Sequence, residues 1–170
     1  MNGIRLGIAM AVVSVALVLQ VSLFPHLAWQ GVVPNLCLLV VVAAALTRGA
    51  QFAAVLGFLT GVVLDLAPPA DHVAGRWALA LVIVGYVAGR MRQEVKPTAV
   101  AVVSSVAASS FIGTSVFALS GLILGDGAVE FGELLQVILV AVIWDVLLTP
   151  FVLPPVMTLF NRLEPDRATV

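Results

Sequence analysis

Two acids stand inside apolar runs of this chain: Asp65 in GFLTGVVLDL (Gly57 to Leu66) and Asp145 in AVIWDVLLTP (Ala141 to Pro150). A carboxylate in such a run is costly to bury, and one that is kept there has a hydrogen-bonding, ion-pairing or proton-handling task. Gly57, Gly61 and Asp65 fall four residues apart, so a helix places them on one face, which Ala53 extends backwards. Small residues let a second helix approach closely, so Asp65 is expected to face protein rather than lipid. Three readings of it stay open: a helix-end acid held by Arg76 or an exposed N–H, a structural or partner contact, and a proton or cation site. Asp145 lies deeper in its run. Ala141, Asp145 and Thr149 share one helical face, Trp144 flanks the acid, and Pro150 removes the hydrogen bond to the carbonyl of Val146. That combination makes either a packing kink or a polar pocket. No cation falls clearly inside an apolar run, so Asp145 is expected to lack a partner in its own chain and to be protonated, hydrated or paired with another subunit.

Other chemistry is sparse. His26 and His72 stand in polar breaks, with neither an i, i+4 histidine pair nor HExxH. GxSxG and SxxK are missing, as are GxGxxG and the phosphate-binding P-loop. Asp71-His72 near Arg76 reads as a solvated loop before it reads as a ligand site. Cys37, the single cysteine, excludes an internal disulfide and a multi-cysteine metal site. Asp65 with Asp145 is the one candidate acid dyad, and it is weak. The expectation is therefore a non-enzymatic protein with no catalytic residue, metal or cofactor.

The elements that must position these residues follow from composition. Of 170 residues, 62% are hydrophobic and 10% charged, and mean hydropathy is +1.17. Soluble domains carry about 25% charged residues, so lipid must solvate much of this chain. A net charge of −1 offers no basic footprint for nucleic acid. A crossing helix needs about 20 apolar residues. Six blocks qualify or come close: 4–24, 32–46, 52–67, 77–91, 98–124 and 133–160. Together they form a single membrane domain over residues 1–170, an all-α bundle of six transmembrane helices. The first block lacks a small-x-small cleavage pattern before Pro25 and reads as a retained span. The second and third are short and are read as two tilted spans, a re-entrant hairpin being the alternative. Pro34 is placed in the first turn of the second block, the polar stretch Thr47–Gln51 is its break from the third, and Pro150, Pro154 and Pro155 interrupt the last.

Alternating the loops across the bilayer puts seven of the eight Lys and Arg on one side. The positive-inside rule then makes both termini cytoplasmic. The 68–76 loop and the acidic stretch with Asp126, Glu130 and Glu133 face outward. Stripes of small residues recur at Ala53-Gly57-Gly61, at Gly85-Gly89 and at Ala101-Ser105-Ser109-Gly113. Each supports helix packing within the chain or against a partner's helix.

From Val32 to Pro69 the chain has Pro34-Asn35-Leu36, the turn Arg48-Gly49, and a G-F-x-x-G-x-x-x-D segment with Gly57, Phe58, Gly61 and Asp65. In these it resembles the MreD family of rod shape-determining proteins. Gly75 in the next loop, Gly85-Tyr86 in the fourth block, and Asp145, Thr149-Pro150 and Arg162-Leu163 in the last also fit. The resemblance implies a multi-pass subunit of the bacterial inner membrane serving cell-wall elongation, peptidoglycan synthesis and cell shape. It would bind an MreC-type membrane-anchored partner through small-residue helix faces and outer loops. MreB, a RodA-type glycosyltransferase and a penicillin-binding transpeptidase would be reached indirectly. The implied fold is similar to the membrane S-component of energy-coupling-factor transporters, which makes a solute-binding subunit of a vitamin-type transporter the rival function. The residues expected to carry partner or structural contacts are Pro34, Asn35, Gly57, Phe58, Gly61, Asp65, Gly75, Gly85, Asp145 and Pro150.

Overall fold

A computed structural model of the chain describes residues 3–68, 72–92, 98–125 and 131–162. It is helical: α1 (Gly3–Ser22), α2 (Leu36–Arg48), α3 (Ala50–Leu66), α4 (Arg76–Met91), α5 (Ala99–Leu124) and α6 (Phe131–Arg162), with a 3-10 turn at Phe24–Leu27. Among the described residues there is no strand, only an isolated bridge between Trp29 and Val32. Asp71, Lys96, Asp126, Glu130 and Arg167, used above to assign sides, lie outside the described residues.

Among the described residues, three helices are long and apolar enough to cross a membrane: Gly3–Ser22, Ala99–Leu124 and Gly132–Arg162. The 13 residues of α2 span only about 20 Å at 1.5 Å per residue, short of a hydrocarbon core about 30 Å thick. Its position accounts for that. α2 packs against α1, α3, α4, α5 and α6, and every residue from Leu36 to Ala45 is buried. It is the central post of the bundle and meets protein on all sides, so its unbroken apolar run is a core and not a lipid-facing surface. α1 lies at the edge, with Val15 and Val18 each more than half exposed.

The tightest packing joins α3 to α4, antiparallel, through glycines on both. A Cβ at Gly57 would overlap the carbonyl of Leu81, and one at Gly61 the backbone of Ala78. In return, a Cβ at Gly85 would overlap the carbonyl of Ala53, and one at Gly89 the backbone of Ala50. Two small-xxx-small ridges thus bring the backbones together closer than side chains allow.

Three expectations about boundaries change. The break between the second and third helices shrinks from Thr47–Gln51 to Gly49 alone (φ 84°), whose N–H donates to the carbonyl of Ala45 and whose carbonyl accepts from Ala53. Thr47 is buried and returns its hydroxyl to the carbonyl of Ala43 at 2.7 Å, so its polarity does not end the helix. Pro34 precedes α2 instead of starting it, because Asn35 is the N-cap. The three prolines do not interrupt α6, which runs unbroken from Phe131 to Arg162. Prolines are tolerated in apolar helices where neighbouring elements take up the backbone groups they free.

Candidate functional site

The first residue of interest is Asn35, whose side-chain oxygen accepts from the N–H of Leu38 at 2.9 Å and so caps α2. Its own backbone N–H needs an acceptor deep in the bundle, and Asp145 Oδ1 provides one at 2.8 Å. The other carboxylate oxygen, Oδ2, accepts from Ser110 Oγ at 2.7 Å. Gln20 of α1 adds a third acceptor, its Oε1 taking the N–H of Cys37 at 3.2 Å. α1 and α6 therefore meet the first turn of α2, and α5 supports it through the bond from Ser110 to Asp145. Asp145 and Ser110 lie near the middles of α6 and α5, so α2 starts at mid-depth of the bundle. Asp145 is 1% exposed, and the positive end of the α2 dipole favours an acid there. Thr149 donates to the carbonyl of Asp145 at 2.8 Å, holding the turn that precedes Pro150. The Asn35 Nδ2 and Trp144 Nε1 groups are buried without a hydrogen-bond partner among the described residues.

Asp65 does the same for α4. Its Oδ2 accepts from the N–H groups of Gly75 (2.9 Å) and Ala78 (3.1 Å), and its Oδ1 from the N–H of Trp77 (3.0 Å). His72 Nε2 stands 3.0 Å from Oδ1. Gly75 is the N-cap of α4 in the left-handed region, φ 100°. That conformation favours glycine, and Gly75 has no side chain with which to cap the helix itself. The cap arrives instead from the last turn of α3, in trans. With four donors the carboxylate has little acceptor capacity left.

An aromatic clamp secures the same end. Arg76, 8% exposed, lays its guanidinium over the Phe117 ring at 3.9 Å and donates through Nη2 to the Phe117 carbonyl at 2.8 Å. Trp77 stacks on the same Phe117 ring, with centroids 4.3 Å apart and planes 22° apart. His72 meets it edge-on at 5.2 Å. Gly121 of α5 leaves the room that the guanidinium fills. The start of α4 is thus bound to α3 by hydrogen bonds and to α5 by ring contacts.

The residues singled out in the sequence separate into four groups. Asn35 joins Asp145, and Asp65 joins Gly75, as a cap and its capped helix. Gly57, Gly61 and Gly85 line the α3–α4 seam. Their faces were open to packing within the chain or to a partner's helix; the chain's own helices fill them, backbone against backbone. The stripe ending at Gly113 also turns inward, a Cβ there meeting Leu38 and Val84. Pro34 is buried beside Asn35. Phe58, 51% exposed, and Pro150, exposed on α6, join neither cluster. Asp145, for which no cationic partner stood out in the sequence, is met by two neutral donors, the Asn35 N–H and the Ser110 hydroxyl. Ser110, Gln20 and Phe117 were not singled out. Ser110 falls one residue outside the marked stripe, and Gln20, the one amide inside the first apolar block, was the available signal.

The two acids do not form a dyad, since they cap different helices and share no hydrogen-bond partner. Among the described residues no three His, Cys, Asp or Glu side chains gather to hold a metal ion. A cleft of about 180 Å³ opens beside the second cluster, where Gln20, Val33, Leu64, His72 and Trp77 face it. What the arrangement does chemically is satisfy backbone amides: two carboxylates accept from the starts of two helices, α2 within the bundle and α4 at its exposed end.

A family model described as rod shape-determining protein MreD matches residues 3–163. No curated protein and no solved structure matches the chain.

Proposed function

From the premise that the chain belongs to the MreD family of rod shape-determining proteins, matched over nearly its whole length, we propose that it is a non-enzymatic scaffold subunit of the cell-elongation machinery in the bacterial inner membrane. The family places it in rod shape determination and links it to the MreB and MreC system. Beyond that, the proposal is that six helices form one transmembrane bundle, of the S-component kind, with both termini cytoplasmic. It holds an MreC-type partner directly, and reaches MreB, the RodA-type glycosyltransferase and the transpeptidase through it.

One observation carries this reading. Asp65, Asp145 and Arg76, the buried charged side chains, all hold this chain's own backbone. Side chains committed to fixing helix starts make a rigid frame, and a rigid frame is what a gripping surface needs. With the glycine faces filled internally, the partner contact falls to the outer loops and the lipid-facing helix surfaces. There the Trp29–Val32 turn presents Trp29, 50% exposed, and is tied to α6 by Gln30 and Gln136 at 2.7 Å. The transporter reading needs a polar pocket for a vitamin-sized ligand. The cleft by His72 holds only about 180 Å³, and the larger grooves of about 470 and 620 Å³ are lined mostly by apolar side chains.

Co-purification tests the proposal. The chain should carry an MreC-type protein through detergent extraction, and Trp29→Ala should weaken that while leaving the fold intact. Solute uptake by the chain alone in lipid vesicles, or no capture of an MreC-type protein by folded wild type, would overturn it.

A further inference from the structure

α1 and α6 both pack on α2, and the gap between them is an open groove of about 470 Å³. Ile8, Val12 and Leu19 form one wall, Pro155 and Leu159 the other, and Val40 the floor. The lining is almost wholly apolar. Both walls end in a cation. Arg5 precedes Ile8 by three residues, close to the groove face of α1, and Arg162 follows Leu159 by three on α6. α1 runs antiparallel to α2, as Gln20 beside Cys37 shows. α6 brings Phe160 to Phe52, next to the far end of α2. The two arginines therefore lie at the same end of the groove. Neither forms an ion pair among the described residues.

Length selects the occupant. Ile8 to Leu19 rises about 17 Å, close to one leaflet of a hydrocarbon core about 30 Å thick. A transmembrane helix would need the full thickness. An apolar groove one leaflet deep, with an arginine on each wall one helical turn beyond its lining, matches a single phospholipid, its chain in the groove and its phosphate toward the arginines.

We propose that the α1–α6 groove is a binding site for an anionic phospholipid of the leaflet that contacts Arg5 and Arg162. The site is separate from the Asp65 and Asp145 clusters, and its existence does not depend on which protein the chain grips.

Native mass spectrometry of the purified chain, offered phosphatidylglycerol and phosphatidylcholine with the same acyl chains, tests this. Wild type should retain phosphatidylglycerol in preference. Each arginine near a charged headgroup contributes about fivefold, so Arg5→Gln or Arg162→Gln should lower the preference about fivefold and the double variant about 25-fold. Arg5→Lys with Arg162→Lys should restore most of it. Val12→Trp, which fills the groove from the edge helix, should lower retention of both lipids. Equal retention of the two lipids by wild type, or an unchanged preference in the double Gln variant, would overturn the proposal. The wild-type comparison needs no variant to fold.

Discussion

Asn35 and Asp145 are 110 positions apart, yet the backbone N–H of Asn35 donates to Asp145 Oδ1 at 2.8 Å. This bond fixes where the central helix α2 begins, at the mid-depth of α5 and α6. The first prediction follows from it. Asp145→Ala removes the acceptor of two buried donors, the Asn35 N–H and the Ser110 hydroxyl, and should destabilise the protein by about 1–3 kcal/mol. Asp145→Asn keeps one carbonyl oxygen for Asn35 and should cost clearly less. Denaturation in mixed detergent micelles, followed by helical circular dichroism, checks the order. An alanine variant as stable as wild type would show that the bond does not hold α2.

Asp65 is the second case. Asp65→Ala strands the amides of Gly75, Trp77 and Ala78 together, and loss of a cap alone costs about 1 kcal/mol. With the buried amide of Ala78 orphaned as well, about 2 kcal/mol or more is expected. His72→Ala removes one partner of four and should cost less than Asp65→Ala. The same micelle titration ranks the two, and equal losses would contradict the picture of a backbone cap.

The glycine seam gives a sharper contrast. Gly57→Ala and Gly85→Ala each drive a methyl into the backbone of the facing helix, and overpacking of this kind costs about 1–3 kcal/mol. Gly61→Leu should prevent folding of the α3–α4 pair. Gly7→Ala, where no atom lies within 4 Å of the added carbon, should be neutral or mildly stabilising. Thermal aggregation midpoints of the detergent-purified variants separate these outcomes.

Phe117 receives Arg76 on its ring and carbonyl and Trp77 in a stack. Phe117→Leu keeps the backbone acceptor and most of the apolar volume but removes the ring contacts to Arg76, Trp77 and His72. A loss of about 1–2 kcal/mol is expected, accompanied by a change in near-ultraviolet dichroism from Trp77. An unaltered near-ultraviolet spectrum would mean that Trp77 is not held by this ring.

The charge bias predicts sides. A reporter active only outside the cytoplasm should work when inserted between residues 126 and 130, and should fail when fused after Val170. The reverse pattern would invert the orientation assigned by the arginines.

Much of the helix order could be read from the chain because its causes are local. Pro25, Pro68-Pro69 and the charged stretch at 90–96 end apolar runs wherever they occur, so the six blocks agree with the six helices to within a few residues at most ends. Thr47 misled because a hydroxyl counts as polar in a sequence, whereas in the helix it hydrogen-bonds its own backbone. The family likeness was legible for a related reason, since Pro34-Asn35-Leu36 and the Gly57–Asp65 spacing are contiguous patterns.

The sequence by itself determined that this chain is helical, apolar enough to need lipid, and provided with two acids that must be satisfied inside it. Only the tertiary structure decided what satisfies them. α1 and α2 are both apolar runs, yet one lies at the edge and the other is enclosed, because apolar composition gives the same signal whether lipid or protein lies alongside. In the same way, a stripe such as Gly57-Gly61 shows that some backbone comes close without showing whose, and an aspartate shows that donors are needed without showing which. Those choices depend on contacts between residues far apart in the chain, and they turned Asp65 and Asp145 into caps for α4 and α2.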